Sequence, residues 1–267
     1  MSKTFGLAPL LDWFSDQVPQ RLGRSIRWRI LKWFPTFMSG GVQIRAAGAT
    51  WQLYPSNNVT ERLLYLHREV PEVQSLAALL THARGKRVLF HDIGANCGAY
   101  SVPLAKSVAP GSRIIAFEPN PVMVERLRKN VDLNAVSGIV QIEPTALGSQ
   151  TGEALLGMRS ERNLGEASLL GATEGVTVPV EPLSRYSLPG RPFDLRVLKI
   201  DVEGYEPEVL RPFFENTAPD VWPGVLLIET EHRGAWSSDL LDFLKTLEYR
   251  AAFVGEGNTL LLYEPSV

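Results

Sequence analysis

The sequence predicts an α/β fold with a mainly parallel sheet of seven strands, and three observations carry that expectation. From residue 87 onward, short apolar runs alternate with helical patterns, the rhythm of strand–helix–strand units. The first run, Val88-Leu89-Phe90-His91-Asp92-Ile93, leads straight into a glycine-rich turn. The last two runs, 249–254 and 258–263, are separated only by Gly255-Glu256-Gly257, which predicts a closing antiparallel hairpin.

Each element follows from its pattern. Residues 42–54 alternate loosely through Val42, Ile44, Trp51 and Leu53, which suits an edge hairpin. Residues 59–84 carry leucines at helical spacing, with Pro71 as a break. Strand 88–93, helix 98–108, strand 113–118, helix 121–134 and strand 138–143 follow. Residues 148–192 read as irregular, and 149–192 as a lid or substrate insertion in which Asn163, Gly165 and Ser168 cover the site. Strand 195–201, helix 205–214, strand 224–229 and helix 236–247 precede the hairpin. Near-continuous apolar strands imply a sheet covered on both faces.

Residues 1–40 form an N-terminal extension to a domain of 41–267. Leu22, Ile26, Ile30, Trp33 and Phe34 share one helical face, with Arg21, Arg24 and Lys32 opposite. That helix suits packing on its own domain or on a second subunit in a homodimer, and its alternative is contact with a membrane surface.

The composition narrows the class. An apolar fraction of 45% in 267 residues supports a sizeable core. A net charge of -2 gives no footprint for general nucleic-acid binding. One cysteine, Cys97, excludes an internal disulfide and fits a reducing compartment. No apolar run is long enough to span a bilayer, and no secretion signal is evident, so a cytoplasmic protein is the expectation. His67, His82 and His91 are scattered without metal-ligand spacing, so no metal site is expected.

In parallel sheets, ligands bind at the carboxyl ends of the strands. Asp92, Gly94, Ala95, Asn96 and Gly98 form the turn after the first strand. The second strand ends on Glu118, followed by Pro119 and Asn120. A glycine turn with a carboxylate at the next strand end suits a nucleoside-containing cofactor, the carboxylate taking ribose hydroxyls. A dinucleotide wants glycines where Asp92 and Cys97 stand, and a carboxylate beside a pyrophosphate repels. The spacing Asp92-x-Gly94-x-x-x-Gly98 therefore favours S-adenosylmethionine, which has no phosphate and carries an ammonium and a sulfonium. Asp92 is expected to accept from that ammonium, directly or through water. Thr145 and Ala146, after the third strand, are expected to face the adenine.

Leu198-Lys199-Ile200-Asp201-Val202-Glu203-Gly204-Tyr205-Glu206 is the second informative block. Lys199 and Asp201 share a strand face, and Glu203 follows in the turn. Three charges at the end of an apolar strand need partners. The next strand ends on Glu229, with His232 in reach of the same crevice. Asp201 is the first candidate to deprotonate or orient an acceptor, with Glu203 and His232 beside it.

The blocks 91–98, 116–121, 146–148 and 198–206 together resemble the FkbM-type methyltransferase family over roughly residues 60–263. The resemblance implies a class I Rossmann-like fold, S-adenosylmethionine as donor, and O-methylation of a hydroxyl on a sugar, glycolipid or natural product. It also implies an acidic residue ahead of the first helix of the sheet, to which Glu69 or Glu72 answers. Its expected partner is a small-molecule or glycan acceptor. The competing readings are a metal-dependent O-methyltransferase using Asp201 and Glu229, a non-catalytic cofactor- or partner-binding module, and an oxidoreductase.

Overall fold

The structure, a computed structural model, describes residues 41–158, 163–165, 167–190 and 192–265. The expected amphipathic helix and the whole extension 1–40 lie outside the described residues.

Two short strands, β1 (Val42–Ala46) and β2 (Ala49–Leu53), form the expected antiparallel hairpin. Helix α1 (Val59–His67) starts on Asn58, whose side chain accepts from the Glu61 amide, and α2 (Val73–Ala83) follows the Pro71 break. Then come β3 (Val88–Ile93), α3 (Ser101–Ala105), β4 (Arg113–Phe117), α4 (Pro121–Leu133) and β5 (Val140–Glu143). Strand β10 (Leu195–Ile200), α5 (Glu206–Asn216), β11 (Val225–Glu229), α6 (Leu240–Thr246), β12 (Tyr249–Gly255) and β13 (Asn258–Tyr263) complete the main layer.

The seven-stranded sheet has the order β12-β13-β11-β10-β3-β4-β5. Its five strands from β11 to β5 run parallel, and β13 is antiparallel to both neighbours. The chain leaves β3 toward β4 and β5 on one side and later returns beside β3 as β10. The order therefore reverses between β3 and β10, which opens a crevice at their carboxyl ends.

Alternation divides the sheet between two cores. Phe90, Ile114, Val197 and Leu227 pack with Leu79, Leu104 and Leu127 on one face. Leu89, Ile115, Leu198 and Ile228 pack with Leu210, Phe213 and Leu244 on the other. Helices α2, α3 and α4 thus cover one face, and α5 and α6 the other. Among the described residues, no helix is long and apolar enough to cross a membrane.

Three expectations need correction. Residues 148–192 are not irregular: β6 (Ala146–Gly148), β7 (Gly152–Met158), β8 (Ala167–Ser168) and β9 (Val176–Pro182) form a four-stranded sheet in the order β6-β9-β7-β8. Its small core contains Leu156, Val178 and Val180. The pairing of β7 with β9 is non-local, and Pro179 disguised the alternation of Val178 and Val180. Helix 98–108 shrinks to α3, because Gly98 adopts φ 92 and the turn continues to Tyr100. Helix 236–247 begins only after Asp239, whose side chain accepts from the Asp242 amide.

Candidate active site

A cleft of about 330 Å³ opens where the strand order reverses, lined by residues from both sheets. Its floor is the turn after β3. Gly94 adopts φ 75, and a Cβ there would stand 1.9 Å from the Asp201 carbonyl oxygen, so glycine is required. Asn96 sits at φ 52, which asparagine tolerates.

Glu118 continues β4 into the cleft and is 7% exposed. Its Oε2 accepts from the Asn96 amide at 2.8 Å and its Oε1 from the Asn120 amide at 2.9 Å. Burial, offset in part by these two amides, pushes its carboxyl up to about 7. Pro119, Thr145 and Ala146 also line the cleft.

The block 198–206 supplies the opposite wall. Lys199 is 3% exposed and donates to the Gly94 carbonyl oxygen at 3.0 Å and to Asp201 Oδ2 at 3.4 Å. Glu203 and Gly204 adopt φ 57 and φ 97, a tight turn. Fully buried Glu206 clamps that turn: its Oε1 accepts from the Val202 amide at 2.9 Å, and its Oε2 accepts from the Trp236 indole N–H at 2.7 Å.

His232 stands between two carboxylates. Its Nδ1 lies 3.3 Å from Glu229 Oε2 and its Nε2 lies 3.5 Å from Glu203 Oε2. A neutral imidazole can donate to only one of them, whereas the imidazolium can donate to both. Glu229 is itself pushed up to about 7, by burial and then by facing Asp201 and Glu206.

A strap over the cleft comes from the second sheet. Asn163 Oδ1 accepts from the Val59 amide at 3.1 Å, Asn120 Nδ2 donates to the Leu164 carbonyl at 2.9 Å, and Asn58 Nδ2 donates to Asn96 Oδ1 at 3.0 Å. Asn163, Gly165 and Ser168, expected to cover the site, all line it.

Of the other sequence candidates, Gly94, Asn96, Glu118, Pro119, Thr145, Ala146, Asp201, Glu203 and His232 reach the cleft wall. Asp92, Ala95, Gly98 and Asn120 do not. A direct contact from Asp92 to an ammonium does not fit its position: it is fully buried beneath the turn, its Oδ2 accepting from the Ser101 hydroxyl at 2.6 Å. Asn120 caps α4 through the Val122 amide and holds the strap. Sequence reasoning overlooked Glu231 and Glu206, and it left Glu72 unresolved against Glu69. Glu72 is the one that lines the cleft. His91 is structural: its Nε2 meets the Tyr186 carbonyl at 3.0 Å, and burial lowers its pKa to about 4.

Glu72, Glu118, Asp201, Glu203, Glu229 and Glu231 all line the cleft, and among the described residues neither lysine nor arginine does. An acidic cradle with a close backbone approach fits a cationic, phosphate-free nucleoside cofactor. Glu118 would take the ribose hydroxyls of S-adenosylmethionine, and the turn at Gly94 would admit its amino-acid part. Among the described residues, no group of three or more His, Cys, Asp or Glu side chains is arranged to hold a metal ion.

A "Methyltransferase 1" of Beauveria bassiana is 32% identical over 143 residues, 45% of this chain and 56% of that protein. A protein-L-isoaspartate O-methyltransferase of Aeropyrum pernix is 36% identical over 70 residues, 26% of each chain. The chain thus spans about half and about a quarter of the lengths of these curated relatives. Among solved structures, the O-methyltransferase TomG of Streptomyces achromogenes superposes with a TM-score of 0.48 at 15% identity, over 93% of this chain and 100% of that one. The family model described as the methyltransferase FkbM domain matches residues 92–251, more than half of the sequence. The chain belongs to the FkbM methyltransferase family, a family of S-adenosylmethionine-dependent methyltransferases.

Proposed function

We propose that the protein is an O-methyltransferase that transfers a methyl group to a hydroxyl of a neutral acceptor such as a sugar, glycolipid or natural product. The observation that carries this reading is the position of His232, between Glu203 and Glu229 at the mouth of the cleft. The bound cofactor supplies a methyl group already activated for attack. What remains for the chain is to align a hydroxyl oxygen and remove its proton as the new bond forms.

His232 is the group suited to that removal. Glu229 fixes its Nδ1 side, and the proton gained from the acceptor leaves an imidazolium that two carboxylates stabilise. Asp201, held by Lys199 and about one-third exposed, orients the hydroxyl at the end of β10. The strap through Asn163 and Gly165 keeps water from the crevice. An acidic wall disfavours phosphorylated or carboxylated acceptors near the reacting hydroxyl and leaves uncharged polyols as the favoured class.

The test is a screen of neutral, anionic and cationic hydroxylated acceptors for S-adenosylhomocysteine production. Turnover highest with neutral polyols supports the reading. Methyl transfer to an amine or a carboxylate in preference to every hydroxyl would refute it.

A further inference from the structure

We propose that Glu72 receives the α-ammonium of the amino-acid part of the cofactor, a role the sequence pattern assigned to Asp92. The proposal rests on the cofactor reading of the cleft and is independent of the acceptor.

Glu72 stands at the N-cap of α2 yet does not cap it. The helix amides of Gln74 and Ser75 are taken instead by Glu256 Oε2, each at 3.0 Å, from the turn between β12 and β13. Glu72 adopts φ 56, a left-handed conformation that a non-glycine residue rarely takes, and it lines the cleft, its carboxyl near enough to Asp201 and Lys199 for their charges to act on it. The Tyr100 hydroxyl donates to its Oε2 at 2.6 Å, which fixes the carboxylate as an acceptor at that place.

The local charge count asks for a cation. Glu72, Asp92 and Asp201 surround Lys199, the one cation among them. Lys199 spends its donors on Gly94 and Asp201, and its Nζ lies 5.4 Å above the Tyr100 ring. Burial and then the neighbouring Asp201 carboxylate raise the Glu72 carboxyl above its usual range, and a cation placed beside it would favour its charged form. The cofactor's ammonium is such a cation. Asp92 cannot receive it directly, since it lies beneath the turn and off the cleft wall.

The experiment is calorimetric binding of S-adenosylmethionine, S-adenosylhomocysteine and 5′-methylthioadenosine to the wild type and to Glu72→Gln. The last ligand keeps the nucleoside and lacks the amino acid, so its retained binding also reports a folded site. We expect Glu72→Gln to weaken the two amino-acid-bearing ligands roughly 10- to 100-fold, the range of one charge-assisted hydrogen bond, and to leave methylthioadenosine unchanged. Equal loss for all three ligands would make Glu72 a structural residue and overturn the proposal, and so would unchanged binding of all three. If Glu72→Gln does not fold, Glu72→Asp must show the same selective, smaller loss, and an unselective effect there overturns the proposal too. Failure of the wild type to bind any of them would remove the cofactor reading itself, a separate failure visible before any variant is made.

Discussion

Lys199 donates its Nζ to the carbonyl oxygen of Gly94 over 3.0 Å, tying the end of β10 to the glycine turn after β3. One buried cation thus joins the two strands between which the sheet order reverses. The same Nζ reaches Asp201, so the geometry of the turn and that of the reaction end are set together.

Lys199→Met removes the cation and leaves Asp92 and Asp201 facing each other without compensation. Breaking a buried pair costs ~3–5 kcal/mol, and the partial exposure of Asp201 places this variant at the lower end of that range. Urea unfolding checks this. A variant as stable as the wild type would show that the pair contributes little.

The pH dependence of cofactor binding has a definite sign. Burial raises Glu118 from an ordinary 4.5 to about 7, so the folded protein by itself favours the neutral carboxyl below that pH. Its contribution to stability is complete below pH 4.5 and is lost as pH rises through about 7. Ribose hydroxyls need the carboxylate as acceptor, so binding runs the other way. Affinity for S-adenosylhomocysteine should fall below pH 7, approaching tenfold per unit, measured by calorimetry between about pH 6 and 8. Glu118→Gln should bind weakly with a flatter profile. An equally steep profile in that variant would assign the dependence to another group.

His232→Gln should depress turnover by roughly 10²- to 10⁴-fold, the usual contribution of a general base, with cofactor affinity nearly intact. Asp201→Asn should also lower turnover strongly. Steady-state rates beside calorimetric titrations separate the two effects. Unchanged turnover in either variant removes that residue from the chemistry.

Gly165→Val should pry the strap from the cleft. A Cβ at Gly165 would meet Asn96 Nδ2 at 2.5 Å and Asn58 Nδ2 at 3.0 Å, both in the network that also holds Glu118. The expected result is faster cofactor dissociation in stopped-flow displacement, with little change in thermal stability. Dissociation at the wild-type rate would mean that the strap does not retain the cofactor.

Much of this arrangement was legible in the chain. The six residues from Val88 to Ile93, four of them apolar, lead into Gly94 and read as a buried strand with a turn behind it, and Glu118 ends the next apolar run. The strand alternation that pairs Lys199 with Asp201 was equally local. Glu72, Glu206 and the sheet from β6 to β9 were less legible, because each depends on partners far away in sequence. Glu72 lines the cleft while Glu256, 184 positions on, takes the amides that open its helix. Asp92 shows the converse: its place in the motif suggested a ligand contact, yet strand geometry turned it under the loop toward Ser101.

The sequence by itself determined the order of strands and helices, the glycine turn, and the carboxylates that end β4, β10 and β11, because side-chain periodicity and turn chemistry act over a few residues. The tertiary structure alone decided which of those carboxylates face one another across the cleft, which are buried beneath it, and which helix end is capped from a distant hairpin. Those outcomes depend on how the two sheets and their covering helices pack, and packing is set by contacts that no local pattern encodes.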